Sequence, residues 1–152
     1  MKTKLKFIIP VIIISLLLGI ALFYISDWKK PEDINRIEIH SEYGFPHETY
    51  EYIIDFTDNT IKTHSIDSHN EEENNIIYFS DEEKEKFVRQ ANSYGFFDWE
   101  ELYERKNVED GLYKTYYIIY NDGSRHETTC ANDYPSTYEG MQEVFRELFG
   151  IW

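Results

Sequence analysis

Thr49–Ile66 reads TYEYIIDFTDNTIKTHSI and carries the fold's signature. Over Thr49–Thr57, Tyr50, Tyr52, Ile54 and Phe56 fall on one side and Glu51, Ile53 and Asp55 on the other, the two-residue period of a half-buried strand. Asp58-Asn59 is a turn pair whose residues tolerate positive φ, so Thr60–Ile66 returns antiparallel. Upstream, Ile34–His40 alternates in the same way, with Ile37 and Ile39 opposite Arg36, Glu38 and His40. Downstream, Asp67–Asn75 reads as an acidic polar loop and Ile76–Phe79 as a short apolar strand.

Ser80 then opens a helix. Its hydroxyl and the Glu83 carboxylate, three residues apart, form a capping box that satisfies backbone N–H groups otherwise left without partners. Phe87, Val88, Ala91 and Tyr94 make the apolar stripe, and Gly95 supplies a left-handed stop. Phe96, Phe97 and Trp99 come next as packing residues, and Glu104–Gly111 as a charged loop.

The pattern then recurs. Tyr113–Tyr120 has apolar residues on both faces, as a central strand does. Asp122-Gly123 favours a type I′ hairpin, and Ser124–Cys130 returns. Ser136 and Glu139 offer a second capping box; Tyr138, Met141, Val144, Phe145 and Leu148 form a second stripe that Gly150 ends. Tyr52-Ile53-Ile54 parallels Tyr117-Ile118-Ile119, and Gly95-Phe96-Phe97 parallels Gly150-Ile151-Trp152. The expected architecture is therefore α+β: an antiparallel sheet with two helices on one face, built as a duplicated strand–hairpin–helix unit.

The segment ahead of this domain sets its location. Phe7–Ile25, FIIPVIIISLLLGIALFYI, holds no charged residue. Nineteen helical residues span about 28 Å, the thickness of a bilayer's hydrocarbon core. Apolar sequence continues past the small-residue pattern Gly19-Ile20-Ala21, which favours an uncleaved signal anchor over a cleaved peptide. The expected organisation is a cytoplasmic N-terminus over residues 1–6, a transmembrane anchor over 7–25, a linker over 26–33 and an extracytoplasmic domain over 34–152. Lys2, Lys4 and Lys6 before the span give a slight positive-inside bias toward that orientation.

Charge narrows the partners. All 29 acidic residues lie after the span, while three of the 15 basic residues precede it, so 12 remain and the chain beyond the span carries a formal charge of −17. Such a charge repels nucleic acid and anionic headgroups. Contact with the membrane is expected through Phe7–Ile25, with an envelope protein or glycan as partner. Cys130 is the sole cysteine, so an internal disulfide is excluded and packing must supply the stability. Tyrosine numbers 13, consistent with aromatic strands.

The search for chemistry yields no assigned catalytic, cofactor or metal residue. Cys130 shares strand parity with His126, but four strand residues span about 13 Å, beyond proton-transfer reach. A small buried side chain is the better reading of that thiol. His40 and His47 flank a loop and could converge with His64 in a zinc-type site. Asp67–Asn75 offers hard oxygen ligands for calcium without EF-hand spacing. A hydrolase would need two or more of His40, His47, His64, His126, Asp55 and Asp110 gathered in one cleft. No phosphate loop, nucleophile elbow or zinc-protease motif occurs. A non-catalytic binding domain is the leading expectation, with a small envelope hydrolase or a calcium-responsive module as alternatives.

The tethered N-terminus, the SDEE helix start at Ser80–Glu83, the GFFD run at Gly95–Asp98 and the second strand–hairpin–helix closing on Trp152 together resemble small bacterial envelope domains of unknown function. Those domains are commonly lipid-anchored, whereas this chain carries a membrane span. The resemblance covers residues 34–152 and implies the α+β fold. It implies no active site.

Overall fold

The computed structural model describes residues 29–44, 48–67, 69, 71–108 and 111–151; the anchor read at Phe7–Ile25, the first three linker residues (26–28), His47, Asp110 and Trp152 lie outside them. Among the described residues the chain is α+β, a seven-stranded mixed sheet with two α-helices. No helix among them is long and apolar enough to cross a membrane.

The strands are β1 (Ile34–Tyr43), β2 (Thr49–Asp55), β3 (Thr60–Ile66), β4 (Glu72–Tyr78), β5 (Leu102–Glu104), β6 (Leu112–Tyr120) and β7 (Arg125–Ala131); the helices are α1 (Asp81–Ser93) and α2 (Tyr138–Phe149). Their order in the sheet is β4-β3-β2-β1-β6-β7-β5. β1 is the spine. On one side Ile37 and Ile39 pair with Ile54 and Tyr52; on the other they pair with Ile118 and Tyr116. Both hairpins therefore present the same parity to one face, and that face is the core.

α1 and α2 cover this face. Phe87 of α1 stacks on Phe56, Phe145 and Phe149, while Phe96 and Trp99, in the turn after α1, meet Tyr116 edge-on. Quadrupole-matched edge contacts of this kind are each worth about 0.5–1.5 kcal/mol beyond the area they bury. The other sheet face carries Arg36, Glu38, His40, Glu51, Lys62, His64, Arg125 and Glu127, a polar surface that needs no cover.

Several expectations are corrected. The sheet is mixed rather than antiparallel throughout, because β5, a strand not expected from sequence whose last residue, Glu104, opens the expected charged loop, pairs parallel to β7. β4 begins at Glu72, so half of the supposed acidic loop is strand: cross-strand pairing of Ser65 with Glu73 and His64 with Asn74 overrides the poor strand propensity of Glu and Asn. Ser136 does not cap α2. The N-cap is Thr137, whose hydroxyl accepts the Trp99 indole N–H at 3.1 Å and makes no capping bond. The Asp122-Gly123 hairpin is not type I′. Gly123 is left-handed (φ 84°) but Asp122 is not, and the Gly123 N–H closes on the Tyr120 carbonyl, a type I turn with its glycine in the following bulge position. Pairing Tyr52-Ile53-Ile54 with Tyr117-Ile118-Ile119 also fails by parity, since Ile53 faces solvent and Ile118 the core.

The linker's end belongs to the fold. The Lys29 N–H donates to Asn92 Oδ1 at 2.8 Å and Asn92 Nδ2 donates back to the Lys29 carbonyl at 2.7 Å, binding the chain to α1 as it enters β1. The Ser80–Glu83 capping box forms as read, and Gly95 and Gly150 are both left-handed.

Candidate functional site

Residues directly opposite each other in a sheet share a face. One such row crosses all seven strands, as Glu73, Ser65, Tyr50, Ser41, Lys114, Cys130 and Tyr103. It lies on the helix-covered face, beyond the apolar rows that the helices seal. There Ser41, Tyr43, Glu48, Tyr50, Tyr52 and Lys114 line a cleft of about 340 Å³.

The floor is polar and dry. Ser41 and Lys114 are each 2% exposed, and Ser41 Oγ meets no hydrogen-bond partner among the described residues. Burial pushes the Lys114 ammonium down to about 7, because the charged form has lost its water. Its Nζ lies 5.8 Å from the centre of the Tyr138 ring, whose negative face offsets part of that loss. The walls are aromatic. Tyr43 and Tyr50 meet edge to face at 6.0 Å, and Tyr52 lines the same cleft. At the rim the Tyr50 hydroxyl donates to Glu48 at 3.1 Å; burial and that carboxylate raise the phenol's pKa. Tyr50 and Tyr52 also wall a second concavity, of about 290 Å³, running toward Ser65, Glu73 and Ile151.

None of the residues singled out from sequence lines the first cleft, although Cys130 and Glu73 fall in its row and His64 borders the second concavity. Cys130 is fully buried beside Lys114, and its thiol is pushed up to about 12 by loss of solvation, so it is a poor nucleophile. His126 is half-buried and meets Thr128 Oγ1 at 3.3 Å. His40 and His64 stand on the polar face with Glu51 between them in register; His40 Nδ1 is 3.5 Å from Glu51, while His64 Nδ1 meets Asn74 at 2.9 Å. His47, their expected companion, lies outside the described residues, as does Asp110. Asp55 spends a carboxylate oxygen on the Thr57 and Asp58 N–H groups of its own hairpin. Asp67 likewise accepts from the backbone of His69 and Glu71. Among the described residues no three His, Cys, Asp or Glu side chains come together as a metal set.

Sequence reading missed the cleft, although it left a trace. Lys114 shares strand parity with Tyr116 and Ile118, so a lysine had to point inward. The chain matches no protein-family model and no curated protein sequence.

Proposed function

We propose that the chain is a membrane-anchored, extracytoplasmic binding domain, held by Phe7–Ile25, that engages an envelope protein or glycan through its tyrosine-walled cleft. The observation that carries this reading is the cleft itself: concave, aromatic on its walls, with a few polar groups converging on its floor, the usual build of a recognition site. Its placement suits a tether. Lys29 enters the fold beside α1, whereas Ser41 lies seven residues along β1 from Ile34, about 23 Å away. The cleft therefore lies toward the end of β1 remote from the point where the chain enters the fold.

In the same reading the two hairpin–helix halves that flank β1 are copies of one unit. Tyr52, Ile54 and Asp58 answer to Tyr116, Ile118 and Asp122, a pairing that keeps facing and turn position together.

The test uses full-length protein. External protease applied to intact, wall-stripped cells should digest the domain while residues before the span stay protected. Cross-linked pull-down from solubilised membranes should recover a partner with the wild type and lose it with Tyr50→Ala/Tyr52→Ala. A domain protected from external protease, or a partner held equally by the double variant, would reject the proposal.

A further inference from the structure

Resting on that reading of the cleft, we infer that it captures the free C-terminal carboxylate of a peptide, with Lys114 and Ser41 as the floor that holds the carboxylate. Three features point to this chemistry. First, a lysine whose Nζ approaches the face of a tyrosine is placed within a cleft of about 340 Å³, room for the end of a peptide but not for a folded partner. An ammonium in such dry surroundings attracts a carboxylate far more strongly than it would in water. Second, Ser41 is 2% exposed, lines the same cleft and leaves its hydroxyl without a partner among the described residues. A buried hydroxyl left unsatisfied is costly, a cost that a ligand oxygen would remove. The register puts Ser41 directly across from Lys114, so both donors can meet one carboxylate group.

Third, the rim carries the opposite charge. Glu48 stands at the mouth beside the Tyr50 hydroxyl. It repels a ligand whose negative charge is spread outward and accepts a hydrogen bond from a ligand with an N–H one or two bonds behind its carboxylate. A peptide's last residue has that sequence of groups, carboxylate first and amide N–H next. A phosphate or a polyanion does not. Capture of a terminal carboxylate is an established mode of peptide recognition. Tyr43 and Tyr52 then flank the terminal side chain, which must be small.

The experiment is isothermal titration of the full chain in detergent micelles with acetyl-Ala-Ala as the free acid and, separately, as its C-terminal amide. The acid should bind and the amide at least tenfold more weakly. Lys114→Met should cut acid binding at least tenfold while leaving the far-ultraviolet circular dichroism unchanged. Ser41→Ala, a smaller change that guards against misfolding of the first variant, should weaken the acid about fivefold. Equal binding of acid and amide, binding of neither, or full acid binding by Lys114→Met would each overturn the inference. Those results would leave the anchored binding domain standing if the pull-down partner still depended on Tyr50 and Tyr52.

Discussion

Ser41 and Lys114 oppose each other across the β1–β6 ladder on the core face, a hydroxyl and an amine each with 2% of its surface in water. On the three central strands the neighbouring rows of that face are isoleucine and tyrosine, so this pair interrupts their apolar run. A lysine buried there lowers stability while it carries its proton, and this has a pH signature. In the unfolded chain Lys114 keeps its proton to about pH 10.4; in the folded protein it gives it up near 7. Between those values the unfolded state binds more protons, so stability rises with pH, by up to about 1.4 kcal/mol per unit. Below about 7 the penalty is full and constant. From about 9 upward Cys130 and Tyr138, both raised by burial, oppose the trend, because the unfolded chain then releases its protons first. Urea unfolding at pH 6, 7, 8, 9 and 10.5 should show stability climbing by about 2 kcal/mol from 7 to 9 and then turning over. Lys114→Met should flatten that climb.

Cys130 should be silent toward thiol reagents in the native state. It is fully buried and its thiol is pushed up to about 12. A chromogenic disulfide at pH 8 should release no colour from folded protein and one equivalent after denaturation in urea. Fast stoichiometric labelling of the native chain would contradict the burial described.

The two helix starts should respond unequally to alanine. Ser80→Ala removes a formed capping box, in which Ser80 Oγ accepts the Glu83 N–H at 3.2 Å and Glu83 accepts the Ser80 N–H at 2.7 Å. The expected loss is about 1 kcal/mol in chemical denaturation. Ser136→Ala removes no cap and should fall within about 0.5 kcal/mol of wild type. Equal losses would restore Ser136 as the cap.

Gly140→Ala should destabilise despite alanine's higher helix propensity. A Cβ there would sit 2.5 Å from the Tyr94 ring, where α2 comes close to the end of α1. Displacing a half-buried ring costs about 1–3 kcal/mol, against a propensity gain of about 1 kcal/mol. A lowered melting temperature is expected, and Gly140→Ala/Tyr94→Ala should recover part of it.

Much of this fold is legible in local patterns because local patterns report on local physics. Period-two alternation placed Ile37, Ile39, Tyr52 and Ile54 on their correct face, since a one-residue slip would expose all of them. The Ser80–Glu83 cap was readable because its partners lie three residues apart. β5 and the first half of β4 were not, because Leu102–Glu104 and Glu72–Asn75 become strand only through partners that lie near in space: Thr129–Ala131 for the one, Thr63–Ile66 for the other. The second cap failed because the helix begins one residue later than Ser136 predicts, with its N-cap at Thr137, whose hydroxyl accepts from the Trp99 indole 38 residues upstream and makes no capping bond.

The sequence alone determined that strongly acidic residues and alternating strands come after a long apolar stretch, that Gly95 and Gly150 end helices, and that no local catalytic motif is present. These conclusions rest on composition and on contacts a few residues long. Only the tertiary structure decided that Ser41, Tyr50 and Lys114, from three separate strands, share one row and one cleft. Lateral register depends on how strands slide against one another, and that is settled by burying all of their apolar faces at once.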